Sequence, residues 1–263
     1  MIPELELYRM TAAILAVVTL GTVVTTARVP ARHRQYGLIG VVIAVSMTTA
    51  YALMSMEVLT IQNLEGEQLP AARFGAYMIA FAAMLSFLPR IADVGYRWIA
   101  VVVVLLVGVI SGTIASWYLQ EPESLAATVV IFGSLIALSV VLLRSLPRRF
   151  GDLSDERRLL FGKLRNLTLL IWWLYIVLGL ITRQNLGLLD AFVGVFLGAY
   201  LDIVITVGFV AIMLRADTAL DQLAVQDGSS VGGDGGSGGA DGGSDREEGA
   251  SEEPAAVTPS PAE

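Results

Sequence analysis

Residues 191–214 read AFVGVFLGAYLDIVITVGFVAIML, a run in which Asp202 is the single charged residue. A helix of about 20 apolar residues crosses the ~30 Å hydrocarbon core of a bilayer, so this run predicts a membrane-spanning helix. Six further apolar stretches precede it, at residues 10–27, 36–56, 70–89, 98–118, 125–143 and 164–182. The sequence therefore predicts an all-α membrane protein, a bundle of seven transmembrane helices.

The composition agrees with a membrane protein and excludes several kinds of chemistry. Of the 263 residues, 55% are apolar and 16% are charged, whereas soluble domains have roughly 45–50% and 25%. The chain has no cysteine, one histidine (His33) and one lysine (Lys163). This inventory excludes disulfides, thiolate metal sites and cysteine nucleophiles, and no Gly-rich phosphate loop precedes a helix. We therefore expect neither a metal site nor an enzyme.

The basic residues predict the orientation. Thirteen of the 17 fall in one set of connections, whereas Arg9, Arg73 and Arg183 fall on the other side. Because cytoplasmic loops are enriched in Arg and Lys, we expect the N-terminus outside, the C-terminus in the cytoplasm and a multi-pass position in the cell membrane. His33, between Arg32 and Arg34, is expected in a solvated basic loop that faces anionic lipid headgroups.

The composition changes abruptly after Arg215. The segment that follows is rich in Gly and Ser, and it carries 11 of the 24 acidic residues. Such a segment buries too little apolar surface to offset the entropy lost on ordering. The sequence thus predicts a transmembrane domain at 1–215 and a disordered acidic Gly/Ser-rich cytoplasmic tail at 216–263. Truncation after residue 221 is expected to leave stability unchanged. The acidic, arginine-rich composition is also typical of salt-loving archaea.

Two charged side chains lie within the predicted spans. Arg73 is near the outer end of the third helix, and Asp202 is about midway along the seventh. Charge within a membrane is costly, so each such residue calls for a functional hypothesis. Tyr51 and Tyr175 are candidate hydroxyl donors to Asp202. Asp202 is interpreted either as a buried carboxyl satisfied by Tyr51, Tyr175, Arg73 and water, or as a counter-ion for a bound cation or polar ligand.

Two blocks of sequence carry a family resemblance. Arg165-Asn-Leu-Thr-Leu-Leu-Ile-Trp172-Trp-Leu-Tyr175 and Leu201-Asp202-Ile-Val-Ile-Thr206-Val-Gly208-Phe209 resemble the last two helices of microbial rhodopsins of the bacteriorhodopsin type. The resemblance extends over roughly residues 8–215. It implies that the family's retinal pocket corresponds to eight positions here: Tyr51, Arg73, Ala76, Tyr77, Trp172, Tyr175, Asp202 and Thr206.

The departures from the family pattern concern its light chemistry. In the family, a lysine on the seventh helix binds retinal as a protonated Schiff base, and the matching position is Thr206. The carboxylate partner of the Schiff base and the cytoplasmic proton donor correspond to Ala76 and Phe87. Lys163, the one lysine, is expected in water at the cytoplasmic start of the sixth helix. The resemblance therefore implies a lysine-less opsin homologue that binds no covalent retinal and is not a light-driven pump.

Three functional hypotheses remain at this stage. The first is a regulatory or sensory protein that acts through another membrane protein. The second is a photoreceptor that binds retinal or a carotenoid noncovalently, provided that the space at Thr206 and Gly179 is not filled by neighbouring side chains. The third and weakest is a passive ion path. The expected partners are the lipid bilayer and a second membrane protein or further copies of the chain, with no nucleic acid.

Overall fold

The computed structural model describes residues 4–62, 66, 68–120, 122–151, 153–181 and 186–231, with side chains as far as Val225. Its helices are α1 (Glu4–Arg28), α2 (Arg34–Ser55), α3 (Ala71–Ile91), α4 (Tyr96–Ser116), α5 (Glu123–Val140), α6 (Asp155–Ile181), α7 (Ala191–Leu214) and α8 (Asp217–Val231). The first seven are each long and apolar enough to cross a membrane. The predicted seven-helix transmembrane bundle is confirmed.

Short elements complete the connections. Strands β1 (Thr60–Gln62) and β2 (Gln68–Pro70) form an antiparallel hairpin between α2 and α3, with Ile61 opposite Leu69. A 3₁₀ turn, Ala31–His33, joins α1 to α2, and a π-helical turn, Val141–Ser145, follows α5. The hairpin was not predicted. We call the end of the bundle that carries it the hairpin end, and the opposite end the α8 end.

The helices pack in chain order from α1 to α5, and α6 packs on α7. Helix α7 also contacts α1 and α2, and α3 contacts α6, so α3 and α7 face the interior. A small residue allows α4 and α5 to approach closely: a Cβ on Gly112 of α4 would lie 2.9 Å from Cγ1 of Ile131 on α5. Close approach at small residues is typical of helices in membranes. Large apolar side chains such as Val17, Leu20 and Val129 point outwards, where lipid surrounds them.

Helix α8 corrects the predicted boundary at residue 216. The chain forms a helix from Asp217, and Ala219, Leu220 and Leu223 are buried. These residues recur at the helical spacing i, i+1, i+4 and therefore share one face. The average composition of 216–263 concealed this short amphipathic pattern, so the prediction of disorder from residue 216 was wrong for α8. Residues 232–263 lie outside the described part of the chain.

The environment of His33 also differs from the prediction. Its side chain is 4% exposed, and its Nε2 lies 2.8 Å from Oδ1 of Asp221 on α8. The prediction that His33 lies in a solvated loop was wrong, because α8, which was not expected, covers this residue.

Truncation after Ala216 is expected to lower the thermal unfolding temperature, because it removes the buried Leu220 and Leu223 together with the rest of α8. Deleting even one buried leucine side chain costs about 2–5 kcal/mol. Truncation after Val231 serves as the matched control and should leave the temperature unchanged, because what it removes is acidic and Gly/Ser-rich. Both are measured by thermal unfolding in lipid nanodiscs. Equal unfolding temperatures for the two truncations would contradict the packing of α8.

Candidate functional site

A buried carboxylate lies at the centre of the bundle. Asp202, midway along α7, has no exposed surface. Its Oδ1 accepts hydrogen bonds from Tyr77 Oη at 2.8 Å and from Tyr175 Oη. Its Oδ2 accepts from Tyr51 Oη at 2.5 Å, from Arg73 Nε at 3.0 Å and from Arg73 Nη2 at 2.8 Å. Four residues from α2, α3 and α6 thus converge on one side chain of α7. We call these five residues the Asp202 cluster.

The Asp202 cluster balances both charge and hydrogen bonding. One guanidinium faces one carboxylate, so the cluster carries no net charge in its ion-paired form. A carboxylate offers about four lone-pair positions, and here two hydroxyls reach Oδ1 while one hydroxyl and one guanidinium reach Oδ2. A buried charge is tolerated when it is paired and hydrogen-bonded in this way. Asp202 therefore has no acceptor position left for a further donor.

Local sequence explains how Arg73 reaches this position. Arg73 and Tyr77 are four residues apart on α3 and so lie on the same face, with Arg73 Cζ 5.4 Å from the centroid of the Tyr77 ring. On α7, a Cβ at Gly198 would lie 2.6 Å from Arg73 Nη2. Glycine at 198 thus leaves the room that the guanidinium occupies. The spacing of Arg73 and Tyr77 was the available signal for the Tyr77 hydrogen bond, which the sequence reasoning missed.

The remaining candidate positions lie in the interior but outside the Asp202 cluster. Thr206 is one helical turn from Asp202 towards the α8 end, and its side chain has no exposed surface. Ala76 and Trp172 are each 5% exposed. Thr206 Oγ1 and Trp172 Nε1 have no hydrogen-bond partner among the described residues. The structure therefore brings all eight candidate positions into the bundle interior, five of them in one hydrogen-bonded cluster.

Phe81 is an interior residue that the sequence reasoning did not single out. Its ring centroid lies 5.4 Å from that of Tyr77 and 4.9 Å from that of Trp172. Tyr77 and Trp172 are two of the eight positions that correspond to the family's retinal pocket, and we call them the proposed walls of that pocket. Since Phe81 contacts both and is 1% exposed, a polyene lying between the walls has to displace its ring.

Aromatic rings also occupy the interior towards the α8 end. Phe87 lies 6.0 Å from Tyr36 and 6.4 Å from Phe209, measured between ring centroids, and all three are at most 1% exposed. We call these three residues the aromatic layer. Lys163, by contrast, is exposed on the first part of α6. Within the described ranges, no group of three or more acidic or histidine residues is placed to hold a metal ion.

Seven spanning helices around a buried Arg–Asp–Tyr cluster define the protein as a seven-helix membrane protein of rhodopsin type. The sequence profile of bacteriorhodopsin-like proteins matches residues 5–220, and the chain belongs to this family. The resemblance found in the sequence is thereby confirmed, as is the expectation of a multi-pass membrane protein.

Individual relatives are haloarchaeal. Sensory rhodopsin-2 of Haloarcula vallismortis is 30% identical over 192 residues, which cover 72% of this chain and 80% of the relative. Bacteriorhodopsin of Haloterrigena sp. (strain arg-4) is 29% identical over 155 residues, or 58% of this chain and 62% of the relative, so this match spans less than two thirds of that protein. These sources agree with the acidic, arginine-rich composition.

Solved structures support the fold. The crystal structure of thermophilic rhodopsin from Rubrobacter xylanophilus superposes with a TM-score of 0.78 at 21% identity, covering 85% of this chain and all of that one. A cyanorhodopsin from Tolypothrix sp. NIES-4075 gives a TM-score of 0.74 over 84% of this chain and 96% of that one, at 21% identity. At these identities, the likeness concerns the fold alone.

Proposed function

We propose that the protein is a bacteriorhodopsin-like membrane protein that works without covalently bound retinal, is not a light-driven pump, and has a regulatory or sensory role through contact with another membrane protein. The observation that carries this proposal is the Asp202 cluster, in which Arg73 and three tyrosines occupy every acceptor position of Asp202, the one buried carboxylate among the residues that the structure describes. The interior is arranged as a closed structural network rather than as a site awaiting a cation.

The lack of an amine in the interior supports the proposal that no retinal imine forms. An imine forms between an aldehyde and an amine, and the chain's one lysine side chain, Lys163, is exposed on α6. The interior position one turn from Asp202 carries a threonine hydroxyl instead, which cannot form an imine. The residues of this chain could therefore hold retinal only noncovalently.

The aromatic layer weighs against the passive ion path. A proton relay needs hydrogen-bonding groups in series, and an ion path needs polar groups or water along its length. Phe87 and Phe209 place two hydrocarbon rings in contact across α3 and α7, between Thr206 and the α8 end. Within the aromatic layer the one polar group is the Tyr36 hydroxyl, and a single hydroxyl does not make a series.

A role in sensing or regulation draws its support from the relatives. Sensory rhodopsin-2 of Haloarcula vallismortis is sensory by name and aligns over 80% of its length. Such a role requires a partner in the membrane, which we propose to be a second membrane protein or a further copy of this chain. The partner and the direction of signalling are therefore tested by experiments that do not involve retinal.

One observation favours a second candidate, the noncovalent retinal or carotenoid binder. Thr206 Oγ1 and Trp172 Nε1 are buried with no hydrogen-bond partner in the described part of the chain. Buried polar atoms are ordinarily satisfied, so a ligand's polar end or a water molecule could complete them. Phe81 opposes this candidate, because its ring contacts both proposed walls of the pocket.

All-trans retinal added to the purified protein is expected to give no visible band of a protonated Schiff base, because the interior contains no amine. The protein is prepared from retinal-free cells, placed in nanodiscs and titrated with retinal while absorption is recorded. Borohydride reduction and mass spectrometry follow. A retinyl adduct within the bundle would contradict the proposal, whereas a stoichiometric bound spectrum without an adduct would favour the second candidate.

Cells that express the protein are expected to show no light-induced acidification of the medium. Ala76 and Phe87, at the family's proton-accepting and proton-donating positions, carry no titratable group. The measurement is external pH under illumination, with cells expressing bacteriorhodopsin as the positive control. An acidification that an uncoupler abolishes, absent from cells with the empty vector, would show that the protein pumps.

The partner is tested in the native membrane. Polymer extraction keeps neighbouring proteins and lipid together, and native mass spectrometry then gives the composition of each particle. We expect particles that contain this chain with a second protein chain or further copies of itself. Particles that hold a single copy with lipid alone would contradict the partner part of the proposal while leaving the absence of retinal chemistry untouched.

A further inference from the structure

Polar contacts connect α8 to the turn between α1 and α2. Asp221 Oδ1 lies 2.6 Å from Arg32 Nη2 and 2.8 Å from His33 Nε2. The side chain of His33 is 4% exposed, whereas those of Arg32 and Asp221 are 61% and 40% exposed. One carboxylate of α8 therefore makes both a surface ion pair and a hydrogen bond to a buried imidazole.

The same helix is joined to the start of α6. Ser154, just before α6, donates a hydrogen bond to Oε1 of Gln222, the neighbour of Asp221. Three residues further on, Arg157 Nη2 donates to the carbonyl oxygen of Ile91, the last residue of α3, at 2.8 Å. A continuous series of polar contacts thus runs across the α8 end, from α3 through α6 and α8 to the α1–α2 turn.

Apolar packing and chain geometry hold α8 in this position. Ala219, Leu220 and Leu223 are buried beneath it. Arg215 and Ala216 alone separate α8 from α7, and Leu220 N donates to Ala216 O at 3.0 Å. With so short a connection, α8 cannot leave the bundle end without exposing its leucines and the imidazole of His33.

We propose that α8 is a clasp, a conformational device that fixes the start of α6 to the α1–α2 turn through Asp221. Its release is the step that lets the start of α6 move relative to α1 and α2. The exposed Arg32–Asp221 pair is where a charged group of another molecule can compete, and the buried face of α8 makes the closed state the resting one. This inference stands on the α8 contacts alone and does not depend on the proposed function.

The absence of cysteine makes a distance measurement direct. Ala27→Cys on the last turn of α1 and Leu159→Cys on the first turns of α6 are both exposed positions on helices. Nitroxide labels at these two sites, in full-length protein in nanodiscs, report the α1–α6 separation by pulsed electron paramagnetic resonance. In the unmodified background we expect one narrow distance distribution.

Asp221→Ala is expected to add a second population at longer distance. The matched control is Asp217→Asn, which removes an exposed carboxylate from the same helix but none of the clasp contacts, and should leave the distribution unchanged. The charge-swapped pair Arg32→Glu with Asp221→Arg should restore much of the narrow distribution, since it rebuilds the ion pair in reverse.

Two further variants keep the proposal testable if Asp221→Ala fails to fold. Arg32→Ala removes the ion pair from the other side, and truncation after Ala216 removes the whole clasp; both should broaden the distribution. Unchanged distances in every folded variant would overturn the proposal. A change on truncation without one in Asp221→Ala or Arg32→Ala would also overturn it, because α8 would then act through its apolar face and not through Asp221.

Discussion

Thr206→Lys is expected to give a retinal-binding protein only when Phe81 is shortened in the same chain. The lysine supplies an amine in the interior, one helical turn from Asp202. The ring of Phe81, however, contacts both Tyr77 and Trp172, and a polyene cannot share that volume in a close-packed interior. The double variant Thr206→Lys with Phe81→Ala should therefore take up retinal, whereas Thr206→Lys alone should not.

The absorption of that double variant is expected to lie in the near ultraviolet at neutral pH and to move to the visible on acidification. A Schiff base absorbs in the visible when it is protonated, and a nearby anion favours the protonated form. Asp202 is already engaged by Arg73 and three tyrosines. Adding Ala76→Asp supplies a carboxylate from α3 in addition to Asp202 on α7. The Schiff base should then stay protonated, and the visible band persist, up to a higher pH.

The control for the cavity is Thr206→Lys with Phe87→Ala. Phe87 is also fully buried on α3, but it packs against Tyr36 and Phe209, away from the proposed walls. Both phenylalanine truncations should cost about 3–5 kcal/mol of stability, yet only Phe81→Ala should permit binding. Equal uptake by the two variants would mean that Phe81 does not close the pocket. Uptake by neither, with helical circular dichroism retained, would mean that no pocket exists.

Asp202→Ala is expected to be among the most destabilising single substitutions in the chain. It leaves the Arg73 guanidinium without its anion and removes the acceptor of three tyrosine hydroxyls, all within the membrane. Removing one partner of a buried ion pair costs about 3–5 kcal/mol, because an uncompensated charge stays behind. The free energy of unfolding, measured by titration with SDS in mixed micelles, should fall by about that amount.

A double-mutant cycle separates the contribution of the ion pair to stability from that of the other contacts in the Asp202 cluster. Arg73→Met should be strongly destabilising too, whereas Arg73→Met with Asp202→Ala should cost less than the sum of the two single substitutions. Asp190→Ala is a suitable control, since it removes a carboxylate from the exposed start of the same helix. There it loses the cap on Val193 N, worth about 1 kcal/mol. Additive effects of Arg73→Met and Asp202→Ala would show that the ion pair contributes nothing specific.

The sequence predicted those features of the protein that depend on the properties of a single helix. An apolar run of spanning length is a local property, so all seven spans were predicted, although α1 begins at Glu4 and not at residue 10, and α6 at Asp155 and not at residue 164. Asp202 was identified because a lone carboxylate in such a run is costly wherever its neighbours lie. Arg73, Tyr51 and Tyr175 were predicted as its partners because they are a cation and two hydroxyl donors on other helices, whereas Tyr77, also a hydroxyl donor, was not predicted to bond to it.

The parts that were missed depend on contacts between helices. Phe81 is one apolar residue among many on α3, and only the position of α6 places it between Tyr77 and Trp172. Likewise, a histidine between two arginines gives no sign that a helix nearly two hundred residues later will cover it. The amphipathic pattern of α8 was present in the sequence, but it is short and was averaged with the acidic segment that follows.

The mutual engagement of Tyr51, Arg73, Tyr77, Tyr175 and Asp202 has a consequence for the history of the chain. Losing Arg73 or Asp202 alone leaves an unpaired charge inside the bilayer, and losing one tyrosine leaves an acceptor position of Asp202 empty, so folding alone disfavours single replacements. The requirement for folding can thus keep such residues in a chain, with or without light chemistry. We therefore expect these residues in any descendant that keeps the fold, including one that works without retinal.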